Sequence, residues 1–145
     1  RSTRSTTRCS RVKVFPVPSP LQCPALDYGS AFSRALEIET PGHRRLLVSG
    51  TASIEPGGDT VHRGDSAGQM KLTFDVVDAI LSSRGMDWSN VVRLLVYLKD
   101  AADWPVYQRF ARDAGYDTLP ALVVNSDICR DDLLFEIELD ALAAG

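Results

Sequence analysis

Near the end of the chain, three carboxylates stand on next-but-one residues, Glu136, Glu138 and Asp140, with Phe135, Ile137, Leu139 and Ala141 interleaved. Side chains on a strand alternate between faces, so Leu133–Leu142 reads as a strand with one oily face and one acidic face. Like charges so spaced repel, and a face that carries them calls for solvent, cationic partners or a polar cleft. In a cleft, burial and a neighbouring carboxylate raise a glutamate's pKa and fit it for general acid work.

The other residues with chemistry to offer are scattered. Arg93 lies in the apolar run Val91–Leu98, where a charge needs an ion-pair partner. Cys129 is an inert loop residue unless its thiol is activated. Ser49-Gly50-Thr51 lacks the Gly-x-Ser-x-Gly pattern of a nucleophile elbow, and His62 has no partner to orient it as a base. Cys9, Cys23 and Cys129 are far apart, no Cys-x-x-Cys pair exists, and His43 and His62 stand alone. Neither structural zinc nor a disulfide framework is expected, and no metal or other cofactor is called for. Reduced thiols point to the cytoplasm.

The 145 residues are 44% hydrophobic and 24% charged with a net charge of −3, the composition of one globular domain. No apolar run approaches the roughly 20 residues that span a bilayer, so no membrane partner is expected. The mild acidity and the lack of a Lys/Arg cluster argue against a nucleic-acid partner. Charge is uneven, since Arg1, Arg4, Arg8, Arg11 and Lys13 precede the first acidic residue, Asp27. Residues 1–27, Arg/Ser-rich and then Pro-rich, read as an extension that is partly extended or disordered, with Val12–Val17 able to add an edge strand. A transit segment and a part of a larger protein are the other readings. Residues 28–145 read as the domain.

Within that domain, Ala35–Glu39 and Arg45–Ile54 flank the turn Thr40-Pro41-Gly42 as a hairpin, and Gly50 suggests a bulge or a close approach to the backbone. Asp65 or Ser66 opens a helix whose stripe is Ala67, Met70, Phe74, Val77 and Leu81, stopped by Gly85. Val91–Leu98 is a central strand apolar on both faces. Asp100 or Asp103 starts a second helix with Pro105 in its first turn, a stripe of Trp104, Tyr107, Phe110, Ala111 and Ala114, and Gly115 at its end. Ala121–Val124 is a short strand, and Asn125–Asp132 is a polar loop. The order β-β-α-β-α-β-β gives an α+β domain of two layers, with both helices on one face of a mixed sheet. The other face needs a cover, which a symmetric assembly supplies.

Five stretches carry a resemblance to a known superfamily. They are LLVSGTASI (Leu46–Ile54), Gly64-Asp65 with Gln69, VVRLLVYLKDAADW (Val91–Trp104), Leu119-Pro120-Ala121 and FEIEL (Phe135–Leu139). In order and spacing the chain resembles the YjgF/RidA superfamily, in older usage endoribonuclease L-PSP. The resemblance implies a chorismate-mutase-like fold, a homotrimer, and clefts between subunits that bind a small carboxylate-bearing metabolite, with Ser49, Gly50 and Thr51 beside the ligand. The superfamily's familiar reaction is hydrolysis of enamines and imines, which uses an Arg in Pro-Ala-Arg to grip the carboxylate. Here the motif reads Pro120-Ala121-Leu122, and Leu122 offers no such contact.

Ala31–Ala35 (AFSRA) and the run Ile128–Glu138 (ICRDDLLFEIE) are similar instead to the C-terminal part of chorismatases. That likeness implies Glu136 as general acid/base and Cys129 at the pocket edge. Arg34, Arg93 and Arg130 are the candidates for the substrate carboxylate. A deaminase with altered carboxylate recognition and a non-catalytic ligand-binding relative are the rival expectations.

Overall fold

The computed structural model describes residues 12–145; Arg1, Arg4, Arg8 and Arg11 of the basic head lie outside the described residues. The strands are β1 (Lys13–Val17), β2 (Ala35–Thr40), β3 (His43–Ala52), β4 (Val91–Leu98), β5 (Ala121–Asn125) and β6 (Phe135–Ala144), and the helices are α1 (Ser66–Ser83) and α2 (Trp104–Ala114). The strands form one sheet in the order β1-β2-β3-β6-β4-β5. All neighbours are antiparallel except β4 and β5, so the sheet is mixed.

Alternation decides which residues face the helices. Leu46 and Val48 of β3, Leu94 and Val96 of β4, and Phe135, Ile137, Leu139 and Ala141 of β6 join Met70, Phe74, Val77 and Leu81 of α1 in one core. The Phe74 ring stacks on Trp88 and Tyr116, with centroids 5.0 and 4.7 Å away. Both helices therefore cover the same face, as a two-layer α+β domain requires. The Asp65 side chain accepts from the Gly68 amide at 3.0 Å and caps α1, while Gly85, at φ 66°, turns the chain out of it. Both aspartates expected to start α2 have work. Asp100 caps a short 3-10 turn at Ala101–Asp103, and Asp103 accepts from Ser66 Oγ at 2.6 Å, tying the two helix starts together.

Two expectations shift. The stripe of α2 is only partly buried: Tyr107 and Ala111 are covered and Phe110 half so, whereas Trp104 and Ala114 are exposed. Trp104 stands beside Val123 and Asn125 at the β5 edge, and Ala114 lines an open groove between the two helices with Ala67 and Lys71. In β4, Val91, Leu94, Val96 and Leu98 are buried, but the other face is open in a single chain, with Val92 51% exposed. The centre of the sheet belongs to β6, which pairs along its length with both β3 and β4.

The proline-rich lead packs on the domain. Pro16 cannot donate to a ladder, and β1 tolerates it as the edge strand. Val17 and Ala25 are buried, and Gln22 Nε2 donates to the carbonyls of Ala52 and Ile54 at 3.0 and 2.9 Å. Among the described residues, no helix is long and apolar enough to cross a membrane.

Candidate active site

Strand β3 does not run evenly beside β6. Val48 pairs with Leu139 and Thr51 with Ile137, so three steps on β3 match two on β6 and the chain bulges at Ser49-Gly50. The Thr51 hydroxyl braces the bulge by donating to the Ser49 carbonyl at 2.8 Å. The Glu136 carboxyl group fills the space over Gly50. A Cβ at Gly50 would stand 3.0 Å from Glu136 Cδ and closer still to Oε1. Both features expected of Gly50, a bulge and a close approach, are present at once.

On this open face Glu136 lies opposite Ala52 of β3 and Tyr97 of β4. Among the described residues its carboxylate has neither an ion pair nor a hydrogen bond, and it is half-buried. Burial, with the charge of Glu138 added, holds Glu136 above the usual carboxylate range. The Tyr97 phenol is pushed up by burial and then by Glu138 and Glu136, so it stays a neutral hydrogen-bond donor. A carboxyl group of raised pKa beside a phenol can pass a proton to a substrate and donate a hydrogen bond to an oxygen that gains negative charge.

The neighbouring acids are spoken for. Arg93 donates to Glu138 at 3.0 Å and to Asp140 at 3.1 Å, and Asp140 also pairs with Arg45. Burial alone would raise Asp140, but Arg45 and Arg93 outweigh it and hold the group below its ordinary value. Arg93 is thus an ion-pair partner first. Leu122, 60% exposed, stands opposite Leu95, which stands opposite Glu138, so its hydrocarbon extends the same face.

The remaining sequence candidates gather elsewhere or turn away. Thr51 pairs with Ile137, a core residue, so its buried side chain lies on the helix side; its service to the site is to hold the bulge. Ser49 Oγ donates to the Ser33 carbonyl at 2.7 Å, and its amide donates to the Arg34 carbonyl at 3.1 Å. Arg34 and Arg130 meet at a residue the sequence reading did not single out. Their guanidinium carbons lie 5.2 and 5.0 Å from the ring centroid of Tyr28. Arg130 also donates to the Gly58 carbonyl at 2.8 Å. Cys129 is exposed in the loop before β6.

Sequence reasoning also passed over Tyr97, whose alternation with Leu98 and Val96 was the available signal, and Gln22, which gave none among four prolines. Gln69 is the latch of the loop. Its amide donates to the Asp132 carbonyl at 2.9 Å, and its Oε1 accepts from the Leu134 amide at 2.8 Å. That bond pair fixes where β6 begins and so where Glu136 falls. Among the described residues, no three His, Cys, Asp or Glu side chains cluster as metal ligands.

The chain and its fold have known relatives. The family model described as endoribonuclease L-PSP matches residues 25–143. A chorismatase of Streptomyces rapamycinicus is 33% identical over 118 residues, 74% of this chain and 35% of that protein. The 3-aminoacrylate deaminase RutC of Acinetobacter baylyi is 30% identical over 93 residues, 63% of this chain and 74% of the enzyme. A chorismatase crystal structure superposes with a TM-score of 0.77 at 28% identity, covering 89% of this chain and 44% of that one. The chain thus spans about a third to a half of the chorismatases it matches. On the matched span and the shared fold, this chain belongs to the YjgF/RidA superfamily, the endoribonuclease L-PSP family, and is related within it to the chorismatases.

Proposed function

We propose that the chain is one subunit of a cytoplasmic homotrimer that binds a small carboxylate-bearing metabolite in clefts over the open sheet face. There it hydrolyses an enol ether, or the related enamine, with Glu136 as the proton-transfer residue. The observation that carries this reading is Glu136 itself: half-buried, facing no cation among the described residues, resting on Gly50 and held above the ordinary carboxylate range. In its protonated form such a carboxyl group can give its proton to the terminal carbon of an enol ether. Water then adds to the cationic carbon and loses a proton to the Glu136 carboxylate. The hemiketal collapses to a ketone and an alcohol, and the carboxyl group ends as it began. Tyr97, opposite Glu136 on β4, can donate a hydrogen bond to the oxygen that leaves as the hemiketal collapses, where negative charge develops.

The trimer finds its support in the apolar surface beside the site, with Val92, Leu122 and Leu142 all exposed on one chain. Leu122 favours the enol ether over the enamine, because the deaminase grip on a carboxylate needs a guanidinium there. The test pairs two assays on the wild-type protein, pyruvate release from chorismate and keto-acid release from amino-acid-derived imines, with light scattering for the trimer. Turnover in the first that disappears in Glu136→Gln supports the proposal. Turnover in the second alone restores the deaminase reading. Ligand binding without turnover in either supports a non-catalytic relative, and an unchanged rate in Glu136→Gln removes Glu136 from the chemistry.

A further inference from the structure

Charge on the open sheet face does not come out even. Glu136, Glu138 and Asp140 of β6 share that face, and the guanidinium groups that meet them are those of Arg93 and Arg45. Among the described residues, three carboxyl groups thus face two cations. Both arginines hold Asp140, whereas Glu138 has Arg93 alone, through one nitrogen at 3.0 Å. Arg93 is divided between two acids, so the charge of Glu138 is only partly compensated.

Glu138 stands where that remainder is felt. It lies opposite Leu95 on β4, and the next-but-one neighbours of Leu95 are Arg93 on one side and Tyr97 on the other. On its own strand it is next-but-one to Glu136, about 7 Å along the backbone. Glu136 and the Tyr97 phenol are both held above their ordinary ranges, by burial first and then by Glu138. Toward β3, Glu136 faces Ala52 and Gly50, which do not titrate. Tyr97 packs on Ala52, Ile54, Ile128 and Leu133, and the charges of the loop that carries Ile128 turn to other partners. Lys99 holds Asp127 and Asp131 at 3.7 and 3.9 Å, Arg63 holds Asp132 at 3.1 Å, and Arg130 lies on the Tyr28 ring.

We infer that the Arg93–Glu138 ion pair tunes the Glu136 carboxyl group: Glu138 presses its charge on Glu136, and Arg93 limits how much of that charge arrives. The role rests on the reading of Glu136 as the proton donor, and it makes Glu138 and Arg93 positioning residues, since neither touches the reacting atoms. A proton on Glu136 is then the third positive charge of the face. When that proton passes to an enol ether, its O–H bond breaks and a C–H bond forms. The resulting cation stands where the proton stood, beside the same three carboxylates.

Carbon-detected NMR of the Glu136 side-chain carboxyl, followed across pH in the full chain, reads the titration midpoint without substrate. Glu138→Gln should lower that midpoint by about half a pH unit or more, the effect in bulk water of a unit charge about 7 Å away. Arg93→Gln should raise it, and the double variant should fall between the two. The pH at which pyruvate release from chorismate declines should move with the midpoint. A merely structural ion pair would alter thermal melts and leave the midpoint in place. An unmoved midpoint in Glu138→Gln, or shifts of one sign in both single variants, therefore overturns the inference. Midpoints that move as expected while the rates do not follow uphold the tuning and remove Glu136 from the chemistry. Should Arg93→Gln fold poorly, Glu138→Gln alone decides, because glutamine can still accept from Arg93 while dropping the charge.

Discussion

Two glutamates of this sheet show what a fold does with a buried carboxylate. Glu37 on β2 is fully covered on the helix side, where Arg44 donates to it at 3.2 Å and Arg84, at the end of α1, closes on its other oxygen. Burial would raise Glu37, but the two arginines prevail and hold it below the ordinary range. Glu136 on β6 is less buried, meets no cation among the described residues and is held above that range. One carboxylate is compensated by its neighbours, and the other holds its proton more tightly than an ordinary carboxylate does. The first arrangement builds a sheet; the second keeps a group that can exchange its proton. Arg44 completes the first by also donating to the Arg84 carbonyl at 3.1 Å, which lashes the helix end to β3.

Removing each group should separate the two roles. Glu136→Gln should cut turnover of the proposed hydrolysis about a hundredfold or more while the protein stays folded; rates and circular dichroism on the same sample check both halves. Glu37→Gln should do the reverse. It strands two guanidinium groups and should cost about 3 kcal/mol in urea unfolding, the low end for a broken buried pair because both arginines retain some solvent. Any turnover per folded molecule should be unaltered.

Gly50→Ala should give a smaller loss, about tenfold in turnover, because the new methyl group displaces the Glu136 carboxyl rather than deleting it. Its pH–rate profile should move toward that of an ordinary carboxylate. The smallest effect is on stability against pH, with opposite signs at the two sites. Glu37 has a lowered folded pKa, so its contribution is present above the ordinary carboxylate range and lost as pH falls through the folded value. Glu136 has a raised one, so the native state loses stability as pH climbs from the ordinary range through the folded value. Glu136→Gln should therefore melt slightly higher than wild type at neutral pH and equally at acid pH, where thermal melts across pH read the difference.

How much of this was legible depended on whether the signal was local. The alternation of Phe135–Leu139 placed Glu136 on the acidic face, and Gly50 announced its bulge, because strand period and the missing Cβ are written in single residues. What covers Glu136 was not local. Its lack of a cation depends on Arg93 being drawn to Glu138 and Asp140, which follows from the register of β4 against β6. Nothing in the sequence showed that Arg34 and Arg130, almost a hundred residues apart, share the ring of Tyr28. Gln22 was equally silent, since a lone amide among prolines has no periodicity to betray its fixed orientation.

The bulge in β3 has one more consequence. A strand has a two-residue phase, and the extra residue resets it. Before the bulge the even-numbered Leu46 and Val48 look toward the helices; beyond it the odd-numbered Thr51 does. Shortening this stretch by one residue would therefore not trim a single contact. It would turn over Thr51 and Ala52, drive Ala52 into the helix side and strip Glu136 of the floor on which it rests.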